Sequence, residues 1–514
     1  MVRKIDIALS TISGILLVFS FAPFDLFPLA WIAIAILLVS IQGKNLITSF
    51  ILGLLSGFVY FMGTVYWMSH SMYMYGNLPI VLTLFVLILL CSYLSLYVGV
   101  FAMTFNFLSE RPKIPASLIC PVLWVSLEFI RTYALTGFPW SILGYSQYNL
   151  LTVIQIADIT GIHVISFFVA ALNGMLFDIV QYRKNRIMQP LVDRWPLTLS
   201  IVFVAITLTM VVIYGTVRLG EDDNNEKIRV SVIQGNIPQD QKWNISFQRD
   251  VIIKYEALTT AVYSDKPDMV VWPESALPFI FGSDKKFTER LIRFQEQSDT
   301  HLLFGAVMSK NKENGKSRIS NSAVLLSPDG SVMSMHDKIH LVPFGEYVPL
   351  GGIFPFIKKM VTAIGDFVSG KEYVVMETPF AKIGNLICYE IIFPGLVREF
   401  AARGANVLVT ITNDAWFGKT SAPYQHFSMA VFRAVENRMP VVRSANTGIS
   451  GFIDSKGRIL KESDIFVEAT LTGEVSIGKN KSFYTKYGDI FAFICILISA
   501  VLIGNRFFSE KKIL

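Results

Sequence analysis

Residues 383–400 read IGNLICYEIIFPGLVREF, and the change of texture inside this stretch decides the fold class of the second half of the chain. An apolar run of strand type stops at Cys388, Tyr389 and Glu390 follow, and Pro394 opens an amphipathic segment over 394–404. This order predicts a strand, a tight turn carrying Cys388, and a helix. The same alternation repeats outward from here. Upstream lie IRVSVIQGNIP (228–238), a helix-length stretch over 246–264, DMVVWPES (268–275), another helical stretch over 285–298, HLLFGAVM (301–308) and NSAVLLSP (321–328). Downstream come ANVLVTITND (405–414), a helical stretch over 424–438 and PVVRSANTGISGFID (440–454). Strands alternating with helices indicate α/β layering, and roughly 260 residues from Lys227 onward suffice to bury a substantial core.

The first half has a different composition. The 514 residues are 53% hydrophobic and only 16% charged, where a soluble chain carries about 25% charge. A membrane span needs about 20 apolar residues, and runs of that kind are predicted near 5–22, 26–41, 47–68, 79–108, 114–131, 161–181 and 197–216, with an eighth near 487–505. The first resembles a signal peptide, but no small-x-small cleavage site follows and FAPFD (21–25) leads straight into the next run, so it is read as a retained helix. The 79–108 run is longer than a perpendicular crossing needs, which implies tilt. Basic residues cluster at the N-terminus (Arg3, Lys4), in alternate loops (Lys44; Arg111 and Lys113; Arg183, Lys184 and Arg186) and after the last run (Arg506, Lys511, Lys512). The positive-inside rule then puts both termini in the cytoplasm and residues 217–485 on the opposite face, which in a bacterium is the periplasmic side of the inner membrane. The expected organisation is a seven-span bundle over 1–216, an extramembrane α/β domain over 217–485, and an eighth span with a cytoplasmic tail over 486–514. The net charge of +6 is spread between apolar runs, without the basic stripe and stacking aromatics that nucleic-acid binding requires.

Ionisable residues inside spans are functional by default. Glu128 and Arg131 stand three apart on one helix face, and Asp158, His163, Asn173 and Asp178 lie in or beside the sixth span. The plainer alternative, an intrahelical ion pair and helix-end residues reaching water, is preferred, because there is no internal repeat or matched pair of broken helices of the kind transporters use.

Of four cysteines, Cys91, Cys120 and Cys495 sit in apolar runs as small hydrophobic filler; Cys388 stands alone in the polar half, so no disulfide framework or CxxC metal site exists there. Three places in that half carry chemistry. VVWPESALP (270–278) ends a buried-type strand at Glu274 behind a proline, well placed for catalysis but equally readable as a helix N-cap or a surface turn. HDKIHLVPFGEYVP (336–349) carries Lys338 on an extended stretch and Glu346 in the loop beyond. His336 and His340 flank Lys338, but four residues along a strand separates them by roughly 13 Å, too far for one ion, and no further His/Cys cluster completes a site; no metal and no cofactor is expected. At the third place, a strand-to-helix turn presents the Cys388 side chain beside free backbone N–H groups, where a nucleophile and an oxyanion hole belong. With no histidine nearby in sequence, a Cys–His arrangement is not favoured.

A strand-end Glu, a strand Lys and a turn-borne Cys resemble the Glu–Lys–Cys triad of the nitrilase (carbon–nitrogen hydrolase) superfamily. The resemblance extends to VIQGNIPQDQKW (232–243), WPES (272–275), HDKIHLVPFGEYVP, ICYEIIFP (387–394), NDAWFG (413–418) and RAVENRMPVVRSANTGIS (433–450), which occur in order. Together with the membrane half, including FAPF (21–24) and TGFPWSILGYSQYN (136–149), the whole chain resembles the membrane-embedded apolipoprotein N-acyltransferase family. That resemblance implies an αββα nitrilase-like sandwich joined to a multi-span helical bundle of eight spans. It also implies an acyltransferase of lipoprotein biosynthesis, with Cys388 as nucleophile, Glu274 as general base and Lys338 as stabiliser of thiolate and oxyanion. Glu346, Tyr389 and Glu390 match supporting positions, and Trp243 and Trp416 are candidates for an acyl or headgroup wall, with a packing role equally open. The implied donor is a phospholipid, in this family usually phosphatidylethanolamine. The implied acceptor is the α-amine of the diacylglyceryl-cysteine at an apolipoprotein N-terminus. A monomer is expected, since nothing suggests a symmetric interface. The competing readings are a membrane-tethered amidase acting on a small carbon–nitrogen substrate and a non-enzymatic transporter or receptor.

Overall fold

The computed structural model describes residues 2–109, 114–188, 194–222, 225–313, 316–347 and 367–511; Arg111, Lys113 and Lys512 of the charge pattern lie outside them, as do Val348 and Pro349. Two compact units result: residues 1–66, 81–221 and 487–514 form one, and residues 67–80 with 222–486 form the other.

The first unit is helical: α1 (Lys4–Phe19), α2 (Ala30–Ile41), α3 (Leu46–Val65), α4 (Ile80–Ser109), α5 (Ala116–Tyr133), α6 (His163–Met188), α7 (Trp195–Gly220) and a last helix, Ile490–Lys511. Helices fall on all eight predicted runs, but the count of eight spans is not sustained. Among the described residues six helices are long and apolar enough to cross a membrane, α3 to α7 and the last. The first two fall short because FAPFD is a turn: α1 stops at Phe19 and Asp25 takes a φ of +55°. At 1.5 Å per residue the 16 residues of α1 and the 12 of α2 reach only about 24 and about 18 Å, against about 30 Å of hydrocarbon.

Small residues let these helices approach closely, as expected where lipid offers no hydrophobic drive: a Cβ on Gly53 would lie 2.6 Å from that of Ala102. The expected Glu128–Arg131 ion pair is replaced by contacts with the following loop. Glu128 accepts from the Leu143 N–H at 2.7 Å, and the Arg131 guanidinium donates to the carbonyls of Phe138, Trp140 and Ser141 at 3.0, 2.6 and 3.2 Å. The reason is physical: a buried irregular segment has main-chain groups that only side chains can satisfy. Asp178 likewise caps α5 through the N–H groups of Ala116 and Ser117, Asn173 bonds Ala35 N–H and the Ala30 carbonyl, Asp158 accepts from Tyr214, and His163 packs edge-on to Phe129. These polar residues brace the bundle. Cys91, Cys120 and Cys495 are buried, Cys495 in the apolar seam with Val122, Val125 and Phe129.

The second unit holds two sheets. One runs in the order β13 (Ala469–Ser476), β1 (Lys227–Gln234), β2 (Met269–Val271), β4 (His301–Glu313), β5 (Lys316–Leu326), β6 (Val332–Asp337), with β3 (Ile280–Phe281) paired to β4. The other runs β12 (Ile459–Glu462), β11 (Gly451–Ile453), β10 (Val441–Ala445), β9 (Val407–Thr412), β8 (Lys382–Ile387), β7 (Val375–Glu377). The central pairs β1/β2, β2/β4, β8/β9 and β9/β10 are parallel, and such strands are apolar on both faces because both are covered. Val230, Val232, Met269 and Val271 meet Ile383, Val407, Val409 and Val442 in the layer between the sheets. The alternate residues Val270, Trp272, Leu302 and Phe304 pack beneath Val251, Ile252 and Tyr255 of α8 (Gln248–Val262) and Leu291 of α9 (Lys285–Gln295). On the far side α10 (Pro394–Ala402) covers β8, a Cβ on Gly384 coming within 2.9 Å of that of Phe400, and α11 (Ala422–Asn437) is buried along its length. The result is the αββα sandwich the sequence predicts. The stretch Trp67–Ile80, with its short helix Met68–Met74, packs with this unit, which hydropathy alone does not signal.

Candidate active site

Glu274 stands three residues beyond β2, in a loop that β4 holds by its main chain. Trp272 N–H donates to the Leu303 carbonyl at 2.8 Å and Ala276 N–H to the Gly305 carbonyl at 2.9 Å. The approach is so close that a Cβ on Gly305 would lie 2.5 Å from the Ser275 nitrogen and 2.6 Å from the Glu274 Cα. The Glu274 carboxylate is clamped by three donors: Asn321 Nδ2 at 2.7 Å and Lys338 Nζ at 3.4 Å on Oε1, and the Asn413 N–H at 3.0 Å on Oε2. Fixing it from three sides aims one oxygen edge rather than leaving a free surface carboxylate.

Lys338 follows β6 directly, its N–H bonded to the Asn321 carbonyl at 2.8 Å. Its ammonium is 1% exposed and lies 3.0 Å from Glu346 Oε1 and 3.4 Å from Glu274 Oε1. Burial by itself lowers the lysine, but Glu346, Glu274 and Cys388 outweigh burial and hold Lys338 well above its ordinary value. Glu346 is oriented in turn by Asn321 Nδ2 at 2.9 Å and the Val342 N–H at 2.8 Å. Asn321 therefore bridges both carboxylates that flank the lysine.

Cys388 leaves β8 with φ +53°, in the left-handed region that non-glycine residues rarely occupy, and starts a single 3₁₀ turn, Cys388–Ile392. Such strain recurs where a nucleophile is presented from a strand end. Burial, then the Glu274 charge, pushes the thiol pKa well up, partly opposed by Lys338 and by the Thr412 hydroxyl. Glu390 holds this turn: one carboxylate oxygen accepts from the Ile387 N–H at 2.7 Å, the other from the N–H groups of Ile339 and His340 at 2.6 and 3.2 Å. The Cys388 turn and the Lys338 segment are thus fastened together. Tyr389 packs on Phe393 and His340.

The sequence-predicted Glu274, Lys338, Glu346, Tyr389, Glu390 and Cys388 all gather in this one region. His336 and His340 part company, His336 edge-on to Phe400 and His340 against Phe393. Trp416 packs edge-on to Tyr75 and accepts at its carbonyl from the Ser71 hydroxyl at 2.7 Å, while Trp243 is 44% exposed. Several residues escaped the sequence reading. Asn321 and Asn413 are two. A third group is a buried relay behind Cys388: His426 Nε2 lies 3.3 Å from the Cys388 carbonyl oxygen, and His426 Nδ1 lies 3.1 Å from Asp414, which Arg443 engages at 2.8 Å. A Cβ on Gly448 would sit 2.2 Å from Asp414. Arg443 and His426 overcome burial to hold the Asp414 carboxyl below its ordinary range, while burial and Arg443 lower His426. A histidine thus does stand near the cysteine, but on its main-chain side. The alternation of NDAWFG and RAVENRMPVVR could have pointed to these groups only through the fold.

Comparison with known proteins shows the family of the chain. Residues 13–175 match the apolipoprotein N-acyltransferase N-terminal domain, and residues 229–483 match carbon-nitrogen hydrolase. An apolipoprotein N-acyltransferase of Geobacter metallireducens is 43% identical over 503 residues, covering 98% of this chain and 95% of its own. That of Haemophilus influenzae is 31% identical, covering 98% and 95%. A solved amidase from Nesterenkonia sp. aligns at 18% identity over 51% of this chain and 92% of its own, with a TM-score of 0.38. With its two-part architecture matched along nearly its whole length, the chain belongs to the apolipoprotein N-acyltransferase family.

Proposed function

We propose that the protein transfers a fatty acyl chain from a phospholipid, through a thioester on Cys388, to the α-amino group of the diacylglyceryl-cysteine of an apolipoprotein. The observation that carries this reading is a buried thiol on a positive-φ turn, within reach of the charges of a clamped carboxylate and a lysine ion-paired to two carboxylates. In the first half-reaction Glu274 takes the thiol proton as the sulfur attacks the ester carbonyl. Lys338, too basic to release its proton, offsets the negative charge on the oxyanion, together with the N–H groups at the start of the Cys388–Ile392 turn. The S–C bond forms, the ester C–O bond breaks, and Glu274 returns the proton to the departing lysophospholipid oxygen. In the second half the neutral α-amine attacks the thioester, the N–C bond forms, the S–C bond breaks, and the amine proton passes through Glu274 back to the sulfur. Glu346 positions Lys338, Glu390 joins the two segments, and Tyr389 packs beside the thioester. Trp243 and Trp416 line the lipid approach.

Phosphatidylethanolamine suits the donor role. The catalytic unit, 217–485, then lies on the periplasmic face of the bacterial inner membrane with both termini cytoplasmic. Five long helices precede it, and two short ones at the N-terminus do not alter that odd number. The protein acts as a monomer. Intact-protein mass spectrometry after incubation with phospholipid alone tests the chemistry: an acyl adduct on the wild type, absent from Cys388→Ser, is expected. A bare thiol, or ammonia release from small amides without any phospholipid requirement, overturns it in favour of an amidase.

A further inference from the structure

Lys242 takes no part in the scheme above, yet it is 1% exposed. It lies in the loop after β1, where Lys242 N–H bonds the Pro238 carbonyl at 3.2 Å. Its ammonium donates to the main-chain carbonyl of Glu274 at 2.9 Å. The same loop reaches the other side of that carboxylate: Gln239 Oε1 accepts from Asn413 Nδ2 at 2.7 Å, and the Asn413 N–H bonds Glu274 Oε2. A lysine in this place serves no surface purpose, and burying an ammonium is costly unless opposite charge faces it.

Charge supplies the reason. Two buried carboxylates, Glu274 and Glu346, face Lys338 at 3.4 and 3.0 Å. Glu390 has His336 Nε2 at 3.9 Å, and Asp414 is matched by Arg443 at 2.8 Å. The Glu274–Glu346 pair thus outnumbers its one lysine before any reaction starts, and the attack at Cys388 adds one more negative charge. Lys242 feels both Glu274 and Cys388. We propose that Lys242 is a positioning residue that supplies the second cation of this site, holding the Glu274 main chain through its carbonyl and lowering the cost of negative charge at Cys388. The inference rests on the assignment of Glu274 and Cys388 above.

Its pH signature is specific. Burial lowers Lys242 to about 8, against the opposing pull of Glu274 and Cys388. The groups facing it are therefore Glu274 after β2 and Cys388 after β8, with Lys338 and Asp414 acting on those two. The charge is present below that value and fades above it, so the acylation rate should fall on the alkaline side. An arginine stays charged throughout. The test follows Cys388 acylation by phospholipid in the full-length protein, in single turnover between about pH 6 and about pH 9.5. Lys242→Met should slow acylation at neutral pH by at least about tenfold, the equivalent of one unit in the effective acidity of the site. Lys242→Arg should recover most of the rate and lose the alkaline decline. A Lys242→Met profile equal to the wild type, or a Lys242→Arg that declines as the wild type does, overturns the proposal. If neither variant folds, a wild-type rate that keeps rising to about pH 9.5 overturns it too, and a decline centred near the lysine value supports it. A wild type that forms no adduct at any pH instead overturns the Cys388 assignment itself.

Discussion

Gly305 should be as important to the reaction as a residue that touches substrate. A methyl group there meets only backbone: the Ser275 nitrogen at 2.5 Å, the Glu274 Cα at 2.6 Å and the Pro273 carbonyl at 2.8 Å. No side chain can swing aside. Since Cβ contacts essentially never fall below 3.0 Å and ordinary ones lie at 3.4–4 Å, the Glu274 loop must withdraw by roughly half an ångström to one ångström, and a displacement of that size at a catalytic group costs about 10²-fold in rate. That equals about 2.7 kcal/mol in the barrier, while overpacking at one site costs about 1–3 kcal/mol of stability. Gly305→Ala should therefore fold, melt a few degrees lower, and acylate Cys388 about a hundredfold more slowly. The assay is a rapid-quench time course of the acyl adduct by intact mass, beside a thermal melt of the same preparation. A variant that melts lower but acylates at the wild-type rate would refute the claim that β4 sets the position of Glu274.

Further outcomes follow from other contacts. Glu390→Gln replaces one acceptor oxygen by an NH₂ that confronts main-chain N–H groups; with bonds to charged groups worth about 1.5–3 kcal/mol each, it should lose at least about 3 kcal/mol in a denaturant titration. Arg443→Met strands the buried Asp414 charge and should cost about 3–5 kcal/mol at neutral pH. Because the folded pKa of Asp414 lies below its ordinary value, that stabilisation exists above about pH 4 and is lost as pH falls further, so the melting gap to the wild type should narrow in acid. For topology, the four native cysteines are buried, so an added cysteine reports alone: on intact spheroplasts an impermeant maleimide should label Asp329→Cys in the α/β unit and spare Lys4→Cys.

The sandwich was legible because both of its signals are local. Parallel strands buried on two faces give apolar runs such as VLVTIT, and each helix carries its own amphipathic period. Glu274 and Cys388 were legible for a related reason: each sits just past a buried strand, where a polar residue breaks an apolar run, whereas Lys338 follows the mixed strand VMSMHD and stood out only within HDKIHLVPFGEYVP. The rest depends on long-range geometry. Asn321 joins Glu274 to Glu346 from across two loops, and Lys242 reaches a carbonyl 32 residues away; neither contact leaves a trace in local pattern. The count of eight spans is left unconfirmed for a different reason. Hydropathy averages over residues 5–41 and cannot see that Phe21–Asp25 turns the chain and shortens both helices. Arg131 and Glu128 were paired on spacing alone, whereas the irregular segment after α5 had the stronger claim on both.

The way Glu390 is used has a practical consequence for anyone moving this chemistry into another scaffold. Its two oxygens rivet segments 51 residues apart, so the side chain works as a gauge block whose length fixes the gap between them. Aspartate would be one methylene too short to span it. A grafted Glu274, Lys338 and Cys388 without this glutamate would keep the three side chains and lose the spacing between the segments that carry them. Glu390 has to travel with them, as a part of the frame.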